Sequence, residues 1–254
     1  MVECTMIPVL ELNNISYRYP GYSESALDDV TLQLPAGGKI VLLGHNGSGK
    51  STLLLHCNGI LQPDRGTVHL DGQTMTYDRR MLQVWRSRVG LVFQNPDDQL
   101  FSASVSQDIS FGPLNLGLDT ATARARVQAA ADMCEVTDLL ERPTHALSSG
   151  QKTRVALAGV LAMEPEVLLA DEIVSGLDPS MRRQVFRIFH RLVTLGKTIV
   201  LSTHDIEVAR HWASLIVVMQ AGRILRVDTP DRIFDDQDFL ESTGLDIQWY
   251  LDEP

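Results

Sequence analysis

The sequence predicts an α/β fold built around a mostly parallel sheet, and three observations lead to this prediction. Short apolar runs that suit buried strands alternate with stretches that have helical spacing. A glycine-rich loop, residues 44–51, lies between one such run and a predicted helix. A later apolar run, residues 167–170, ends in two acids, Asp171 and Glu172. All these elements are assigned to one domain, residues 1–254.

The first part of the chain predicts strands around the glycine-rich loop. Residues 10–43 alternate polar and apolar side chains, with turns at Pro20-Gly21 and at 35–38, which is typical of short, mostly antiparallel strands. Their last apolar run, residues 40–43, leads directly into the loop. A helix is predicted from residue 50 to about 58, ended by Gly59. Further strands are predicted at 68–70 and 89–93.

Residues 95–164 differ in character and predict a helical insert. Proline and glycine interrupt the beginning of this segment, and an alanine-rich stretch then predicts a helix over residues 121–140. Another helix is predicted over residues 151–164, where Pro165 stops it. The α/β core, with its antiparallel β subdomain, is accordingly assigned to residues 10–94 and 165–228.

The remainder of the chain returns to strands and helices. Buried strands are predicted at 167–170, 198–202 and 215–219, with a hairpin turn at 220–223. Residues 181–195 have helical amphipathic spacing. The apolar face of this helix is predicted to contain Val185, Ile188, Leu192 and Leu195. Residues 229–254 form an acidic tail that is predicted to be partly helical.

Composition and charge narrow the class of protein. The net charge of −10 disfavours a general nucleic-acid binder, and Arg183, Arg187 and Arg191 are interpreted as a solvated helix face. The three cysteines are widely spaced and are predicted to be reduced thiols. No segment approaches the ~20 apolar residues that span a bilayer, and no secretion signal is recognised at the N-terminus. A role in a membrane process would therefore require membrane partners.

The glycine-rich loop fits the phosphate-binding pattern G-x-x-x-x-G-K-[ST] and lies between a predicted strand and a predicted helix. Its glycines allow backbone N–H groups to turn towards phosphate oxygens, and the helix N-terminus adds partial positive charge. Lys50 is predicted to reach the β and γ phosphates and to contribute to catalysis, and Ser51 is predicted to bind Mg²⁺. The residues of this loop and helix that we predict to bind ATP are Gly44, Asn46, Gly47, Ser48, Gly49, Lys50, Ser51 and Thr52.

The acid pair adds the chemistry of hydrolysis. Asp171 is predicted to support the Mg²⁺ ion, and Glu172 is predicted to act as the general base for the attacking water. Together the loop and the acids indicate a nucleoside triphosphatase. With the elements described above, the predicted fold is that of a P-loop nucleoside triphosphatase, with a RecA-like parallel core, an N-terminal antiparallel β subdomain and a helical insert.

The run Leu147-Ser148-Ser149-Gly150-Gln151 has two interpretations. A serine there could simply cap the following helix. Because the run lies between the phosphate loop and the acid pair, it also resembles the L-S-G-G-Q signature of the ATP-binding-cassette (ABC) ATPases. The resemblance implies that Ser148 and Gly150 contact the γ-phosphate held by a second subunit, with Gln151 in the same signature. Ser149 replaces the first glycine of the family pair.

Other residues match family positions, and their roles are implied by the resemblance. Gln94 matches the Q-loop residue that touches Mg²⁺ or the water, and Asp178 matches the D-loop at the dimer interface. His204 matches the switch histidine that contacts the γ-phosphate. Tyr19 matches the aromatic residue that stacks on adenine, with Tyr17 as the alternative. These residues join Glu172 and Lys50 in the predicted machinery, whereas Ile173-Val174 replaces the usual Pro-Thr and is expected to have a structural effect.

Residues 94–101, 111–118 and 149–163 are similar to a narrower group, the ATPases of energy-coupling-factor importers, and especially to its cobalt and nickel branch. Two readings of Leu100, Phe101 and Phe111 stay open, namely core of the helical insert or a groove for an apolar partner helix.

The resemblance implies an ATP-hydrolysing subunit with ATP and Mg²⁺ as its cofactors. The implied partners are a second ATPase subunit, together with a transmembrane coupling protein and a substrate-binding membrane subunit. The second subunit is an identical chain in a homodimer, which the complete motif set permits, or a different chain in a heterodimer. The implied location is the cytoplasmic face of the cell inner membrane, and no nucleic acid is expected as a partner. The alternatives are a vitamin as substrate, or a non-transport ABC ATPase that acts on nucleic acid.

Overall fold

The structure is a computed structural model that describes residues 8–245. The predicted thiol Cys4 and the last part of the predicted tail, residues 246–254, lie outside this range. Cys57 and Cys134 are buried free thiols, and burial raises the pKa of the Cys57 thiol to about 12. Within residues 8–245, no helix combines the length and apolar character needed to cross a bilayer.

The N-terminal strands form an antiparallel sheet, as predicted. Its strands are β1 (Pro8–Tyr17), β2 (Leu27–Pro35), β4 (Arg65–Leu70) and β5 (Gln73–Thr74), in the order β2-β1-β4-β5. Each pair is antiparallel, and buried leucines alternate with more exposed residues along β2. This alternation buries one face of the sheet.

A second sheet carries the predicted parallel strands. Its strands are β3 (Lys39–Leu43), β6 (Val89–Val92), β7 (Val167–Asp171), β8 (Thr198–Thr203), β9 (Leu215–Gln220) and β10 (Arg223–Asp228). The order is β10-β9-β3-β8-β7-β6, and only the β10–β9 pair is antiparallel in the described sheet. The carboxyl ends of β3, β8 and β7 therefore meet at one edge of the sheet, where ligands of such sheets bind.

The described helices pack on the two faces of this second sheet or on one another. They are α1 (Lys50–Cys57), α2 (Arg79–Arg88), α3 (Val105–Asn115), α4 (Thr120–Met133), α5 (Ser149–Leu161), α6 (Pro179–Thr194), α7 (Ile206–Trp212), α8 (Pro230–Phe234) and α9 (Gln237–Thr243). Ile40 and Leu42 of β3 pack towards α1 and the antiparallel sheet. Val41 and Leu43 pack towards the opposite face, with α5, α6 and α7. This two-residue period explains why β3 is apolar throughout.

The helix predicted over residues 121–140 is shorter than predicted. α4 ends at Met133, Glu135 takes a left-handed φ of 56°, and a single 3-10 turn follows at Thr137–Leu139. Arg154 of α5 donates hydrogen bonds to the carbonyl oxygens of Cys134 and Glu135. The chain leaves the helix here because a tertiary donor binds carbonyl groups at its end.

The interrupted segment before residue 120 contains a helix that the sequence did not predict. α3 passes through Gly112 and includes Pro113 in its last turn. A Cβ atom on Gly112 would lie 2.7 Å from Cγ of Met163, so glycine allows α3 to approach the segment after α5. Gly112 is therefore accommodated by close packing, whereas Pro113 lies inside α3 and removes one of its helical hydrogen bonds.

Two predictions for α6 have different outcomes. Val185, Ile188 and Leu192 are buried as predicted, but Leu195 is 63% exposed and its place on the apolar face was wrong. Leu195 follows the last helical residue, so the helical spacing no longer governs its direction. Arg187 and Arg191 are exposed and lie near Glu135, which agrees with a solvated face.

Candidate active site

The phosphate loop connects the end of β3 to the beginning of α1. Gly47 and Gly49 have φ angles of 81° and 104°, which are conformations that glycine adopts without a steric penalty. A Cβ atom on Gly44 would lie 2.3 Å from the carbonyl oxygen of Met219, so this position has no room for a side chain. The loop is therefore held against β9, and its shape depends on these glycines.

One hydroxyl of the loop lacks a protein partner. Ser48 Oγ is buried, and the part of the chain that the structure describes offers it no hydrogen-bond partner. Asn46 and Gly47 are exposed on the same loop. A phosphate oxygen would satisfy this hydroxyl, because a buried hydroxyl without a partner is unfavourable and a phosphate oxygen is a strong acceptor.

Three of the predicted catalytic residues converge. Lys50 is 4% exposed, and its Nζ donates to the carbonyl oxygens of Gly44 and His45 at 2.7 and 3.0 Å. The same Nζ lies 3.3 Å from Oε1 of Glu172, and Oε2 of Glu172 lies 3.3 Å from Nδ1 of His204. These side chains follow β3, β7 and β8, which are neighbours in the sheet. The order of the strands thus brings the cation, the acid and the histidine together.

A serine that the sequence reasoning did not select fixes the acid pair. Ser202 Oγ donates to Oδ1 of Asp171 at 2.5 Å and accepts from the backbone N of Glu172 at 3.0 Å. Glu172 has a φ of 47°, which is uncommon for a residue other than glycine. The hydrogen bonds to Ser202 stabilise this turn of the backbone. The sequence signal that could have identified Ser202 is its position two residues before His204, on an apolar strand.

The three predicted Mg²⁺ ligands have suitable chemistry and positions. A hydroxyl from Ser51, an amide from Gln94 and a carboxylate from Asp171 supply the hard oxygen donors that Mg²⁺ prefers. Ser51 is exposed in the first turn of α1. Gln94 is exposed just after β6, whose residue Val92 pairs with Ala170, the residue before Asp171. The residues present therefore fit this ion.

The aromatic residues near α1 have different surroundings. Tyr19 is partly buried, and its hydroxyl lies 3.3 Å from Oγ1 of Thr52. Tyr17 packs edge-on against His56, with ring centroids 4.8 Å apart. Tyr22, which the sequence analysis did not select, is 73% exposed, and its ring centroid lies 6.3 Å from that of Tyr19. Tyr19 thus lies beside Thr52 of the helix that follows the phosphate loop, while Tyr17 packs against His56 of the same helix.

The signature residues form a second group at the beginning of α5. Ser148 caps this helix and forms a reciprocal pair of hydrogen bonds with Gln151, while Ser149 is exposed. A Cβ atom on Gly150 would lie 2.7 Å from Sδ of Met181 in α6, so glycine allows close packing there. Capping therefore accounts for the local form of the run, and a role in phosphate contact is compatible with it.

The signature residues are not bonded to the converging residues of the same chain. Within residues 8–245, no hydrogen bond or ion pair joins the signature residues to Lys50, Glu172 or His204. Asp178 caps α6 through the backbone N atoms of Ser180 and Met181. Ile173 and Val174 follow the acid pair directly, and both side chains are buried in the hydrophobic core.

An open groove lies on another side of the insert. It has a volume of about 870 Å³, and its lining includes Tyr77, Leu82, Phe93, Phe101 and Phe111. Phe101 and Phe111 are 65% and 50% exposed, and their rings are stacked edge to face at 4.7 Å. Of the two interpretations of these residues, core of the insert is therefore wrong for Phe101 and Phe111, whereas Leu100 is partly buried against the core.

The fold and the converging site define a P-loop nucleoside triphosphatase. The parallel sheet, the phosphate loop between β3 and α1, and the acid pair after β7 occupy neighbouring strand ends. This arrangement presents phosphate-binding groups and a candidate base from one edge.

Comparison with known proteins gives the family. The ABC transporter family model matches residues 27–175, which is more than half of the chain. A cobalt import ATP-binding protein, CbiO of Rhodobacter capsulatus, is 48% identical over 94% of this chain and 85% of that protein. An energy-coupling factor transporter ATP-binding protein, EcfA of Methanosphaera stadtmanae, is 43% identical over 96% of this chain and 87% of that protein.

Solved structures agree with this result. The structure of cbiO1 from Clostridium perfringens, described as part of the ABC transporter complex cbiONQ, has a TM-score of 0.81 and 37% identity. The match covers 96% of this chain and 97% of that chain. A dimeric post-hydrolysis structure of the ATP-binding cassette MJ0796, bound to ADP and Pi, has a TM-score of 0.79 at 27% identity, over 87% of this chain and 98% of that chain. The chain belongs to the ABC transporter family and is an ATPase of that family.

Proposed function

We propose that two copies of this chain form a head-to-tail dimer that hydrolyses ATP for an energy-coupling-factor importer. The dimer is supported by the signature residues of the described chain sharing no hydrogen bond or ion pair with Lys50, Glu172 or His204. The phosphate loop, Glu172 and His204 lie together, while Ser148 and Ser149 are exposed at the beginning of α5 and can face the nucleotide of a second copy. Gly150 is buried beside Met181, so its proposed contact with phosphate would be made by its backbone. The dimeric MJ0796 cassette supports the same arrangement by similarity.

Each catalytic residue has a role that its position supports. Lys50 binds the β and γ phosphates, and the loop N–H groups and the N-terminus of α1 bind the remaining phosphate charge. Glu172 accepts a proton from the attacking water, and His204 orients Glu172 and contacts the γ-phosphate. Ser148 and Gly150 of the second copy close the site, and Tyr19 stacks on adenine. The loop of Asp178 lies at the interface of the dimer.

The same site is proposed to hold Mg²⁺ through Ser51, Gln94 and Asp171. When bound, the ion supplies positive charge to the phosphate oxygens. Asp171 is held for this purpose by its hydrogen bond from Ser202. Gln94 follows β6 directly and lies on the loop that leads to Gln99, which donates to the carbonyl oxygen of Ala156 in α5. The ligand loop is thereby connected to the signature helix.

The observation that carries the transport assignment is the exposed pair Phe101 and Phe111 in the apolar groove. Monomeric proteins seldom expose neighbouring aromatic rings without a partner for them, and a helix docked in a groove is a common solution. The proposed occupant is a cytoplasmic helix of a transmembrane coupling protein. ATP favours the closed dimer, and the change between closed and open states moves the docked helix. The protein would then act at the cytoplasmic face of the inner membrane, bound through its partners.

The proposed cargo is a transition-metal ion, cobalt or nickel, which a separate membrane subunit binds. The similarity to the cobalt import protein of Rhodobacter capsulatus supports cobalt. The second candidate is the import of a vitamin by the same kind of complex, because the similar EcfA proteins are energy-coupling factor ATPases that are not named for a metal.

Transport assays on the assembled complex test this proposal. The chain is co-expressed with the membrane proteins that co-purify with it, and uptake into vesicles is measured with radioactive cobalt, radioactive nickel and a panel of vitamins. We expect ATP-dependent uptake of cobalt or nickel that Glu172→Gln abolishes. Uptake of a vitamin alone would support the second candidate. Strong stimulation of ATP hydrolysis by duplex DNA, without uptake of any cargo, would contradict both.

A direct test of the dimer uses the same substitution. Glu172→Gln should bind ATP without hydrolysing it, so the closed dimer should accumulate. The mass of the full chain, measured by light scattering with saturating Mg-ATP, is expected to double for this variant. A mass that stays monomeric, in solution and within the membrane complex, would contradict the proposed arrangement.

A further inference from the structure

The first turn of α6 lies between the signature helix and the histidine. Met181 faces α5, because its Sδ occupies the space beside Gly150. The next residue, Arg182, points to the chain after β8, where its Nη1 lies 2.8 Å from Oδ2 of Asp205. Neither side chain was selected from the sequence as part of the site.

Asp205 controls the position of the residue before it. Its backbone N donates to Oγ1 of Thr203 at 3.0 Å, and its Oδ1 accepts from the backbone N of Val208 at 3.2 Å. These bonds enclose His204 between the end of β8 and the beginning of α7. His204 is 51% exposed, and its Nδ1 lies 3.3 Å from Glu172. An exposed side chain next to the candidate base depends on its backbone for position.

The turn that presents Arg182 is itself fixed. Asp178 caps it through Ser180 and Met181, and the backbone N of Arg182 donates to the carbonyl oxygen of Asp178. The contact between Met181 and Gly150 holds its other side. The guanidinium group is therefore presented from a rigid support, while Asp205 belongs to a short segment between a strand and a short helix.

We propose that Arg182 is a positioning residue for hydrolysis, which acts through its ion pair with Asp205 to hold His204 against Glu172. This inference rests on the proposed roles of Glu172 and His204. Arg182 needs no contact with nucleotide. Its loss allows the segment at 203–206 to move, so fewer closed sites have His204 and Glu172 in reacting geometry. Turnover then falls, whereas binding of ATP through the phosphate loop is preserved.

The test compares kinetic constants of the chain in its membrane complex. Asp205→Asn keeps a good helix cap and removes the charge, and Arg182→Gln removes the other charge. We expect each substitution to lower kcat roughly five- to twentyfold, a moderate effect because the ion pair is partly exposed. KM and the Kd for ATP should change by less than about twofold, because the phosphate loop still binds ATP. Arg182→Lys retains a cation and should stay within about threefold of the wild type. The double variant Arg182→Gln/Asp205→Asn should be no slower than the slower single variant.

Arg183→Gln is the matched control, because Arg183 is an exposed arginine of the same helix turn. The ring signals of His204, assigned with His204→Gln, are compared by NMR on the full chain. They should move in Arg182→Gln and Asp205→Asn and stay in place in Arg183→Gln.

Unchanged kcat, a raised KM with unchanged kcat, or additive effects in the double variant would overturn the inference. Glu172→Gln separates the two proposals: if it abolishes turnover while Arg182→Gln does not lower it, only this inference fails. If Glu172→Gln leaves turnover intact, the role of Glu172 fails and this inference fails with it.

Discussion

At the scale of single residues, Glu172 combines an unusual backbone with close neighbours. Its positive φ is held by two hydrogen bonds from its backbone N to Ser202. Its two carboxylate oxygens point to different partners, Lys50 and His204. A backbone strained in this way costs on the order of 1–3 kcal/mol, and such strain is often found at functional sites. The geometry therefore supports Glu172 as the base, which stays a prediction.

Glu172→Gln tests this role at the level of one atom. Glutamine has nearly the same size but cannot accept the proton, so we expect turnover to fall by roughly 10²–10⁴ while ATP binding is retained. Steady-state hydrolysis and equilibrium binding of ATP measure the two effects. Glu166→Gln is a control just before the same strand, where the acid pairs with Arg88. Turnover of Glu172→Gln equal to that of this control would remove Glu172 from the role of base.

At the scale of elements, the close packing of β6 against α5 depends on Gly90 of β6. A Cβ atom on Gly90 would lie 2.3 Å from Cγ1 of Val160, a buried and branched side chain. This close approach sets the distance between the sheet and the signature helix. The helix therefore cannot move towards the sheet, and any bulk added at Gly90 must push it outwards.

Gly90→Ala is expected to destabilise the fold by about 1–3 kcal/mol, which is typical of an overpacked core. Val160→Ala removes the atom that collides, so the double variant should lose less stability than the sum of the two single changes. Urea unfolding measures these free energies. Gly159→Ala is the control on α5, because the nearest atom to its added Cβ is 4.0 Å away. Additive losses in the double variant would show that Gly90 does not act through Val160.

Helix α1 contains a buried histidine, His56, that makes the stability of the protein depend on pH. Burial lowers the pKa of His56 below its ordinary 6.5, although a hydrogen bond to the carbonyl oxygen of Thr52 and the charge of Asp64 act in the opposite direction. Below pH 6.5 the unfolded chain binds a proton at this residue before the folded chain does. The free energy of unfolding should therefore fall as the pH drops from about 7 through the folded pKa.

We expect His56→Leu to reduce this loss of stability, because leucine does not titrate. Unfolding by urea at several pH values between about 7 and 5 measures the slope. His190→Gln, at an exposed histidine, serves as the control. If the slope of His56→Leu equals that of the wild type and of this control, His56 is not the group responsible.

At the scale of the whole molecule, the signature run and the apolar groove are connected through α5. The helix carries the signature residues at its beginning, and the groove is lined near its end by Val160 and Met163. Gln99 bridges the two regions, because it accepts from the backbone N of Phe93 and donates to Ala156. A movement of the helical insert would therefore be felt at both surfaces. The division of the chain into core, insert and tail stays a prediction.

Phe101→Ser and Phe111→Ser test the groove as the docking surface. Loss of a buried aromatic anchor weakens an interface by about 2 kcal/mol or more, so binding of the membrane partner should fall by at least about tenfold. Binding of ATP to the chain should not change, because the rings lie outside the nucleotide site. Co-purification and transport assays measure the first effect. Leu195→Ser, at another exposed apolar residue, is the control, and equal partner binding by all three variants would contradict the assignment.

The sequence by itself determined most strands of both sheets, though not the short β5, together with the phosphate loop and the acid pair, because these depend on local period and on residues adjacent in the chain. It also selected Lys50 and Glu172, and the resemblance of short motifs gave His204 and the family. The sequence did not reveal Ser202 as the residue that fixes the acids. It also did not show α3, the exposed end of α6, or the choice between core and groove for Phe101 and Phe111. Only the tertiary structure decided these points, because each depends on contacts between segments far apart in the chain, which a single sequence does not encode as a local pattern.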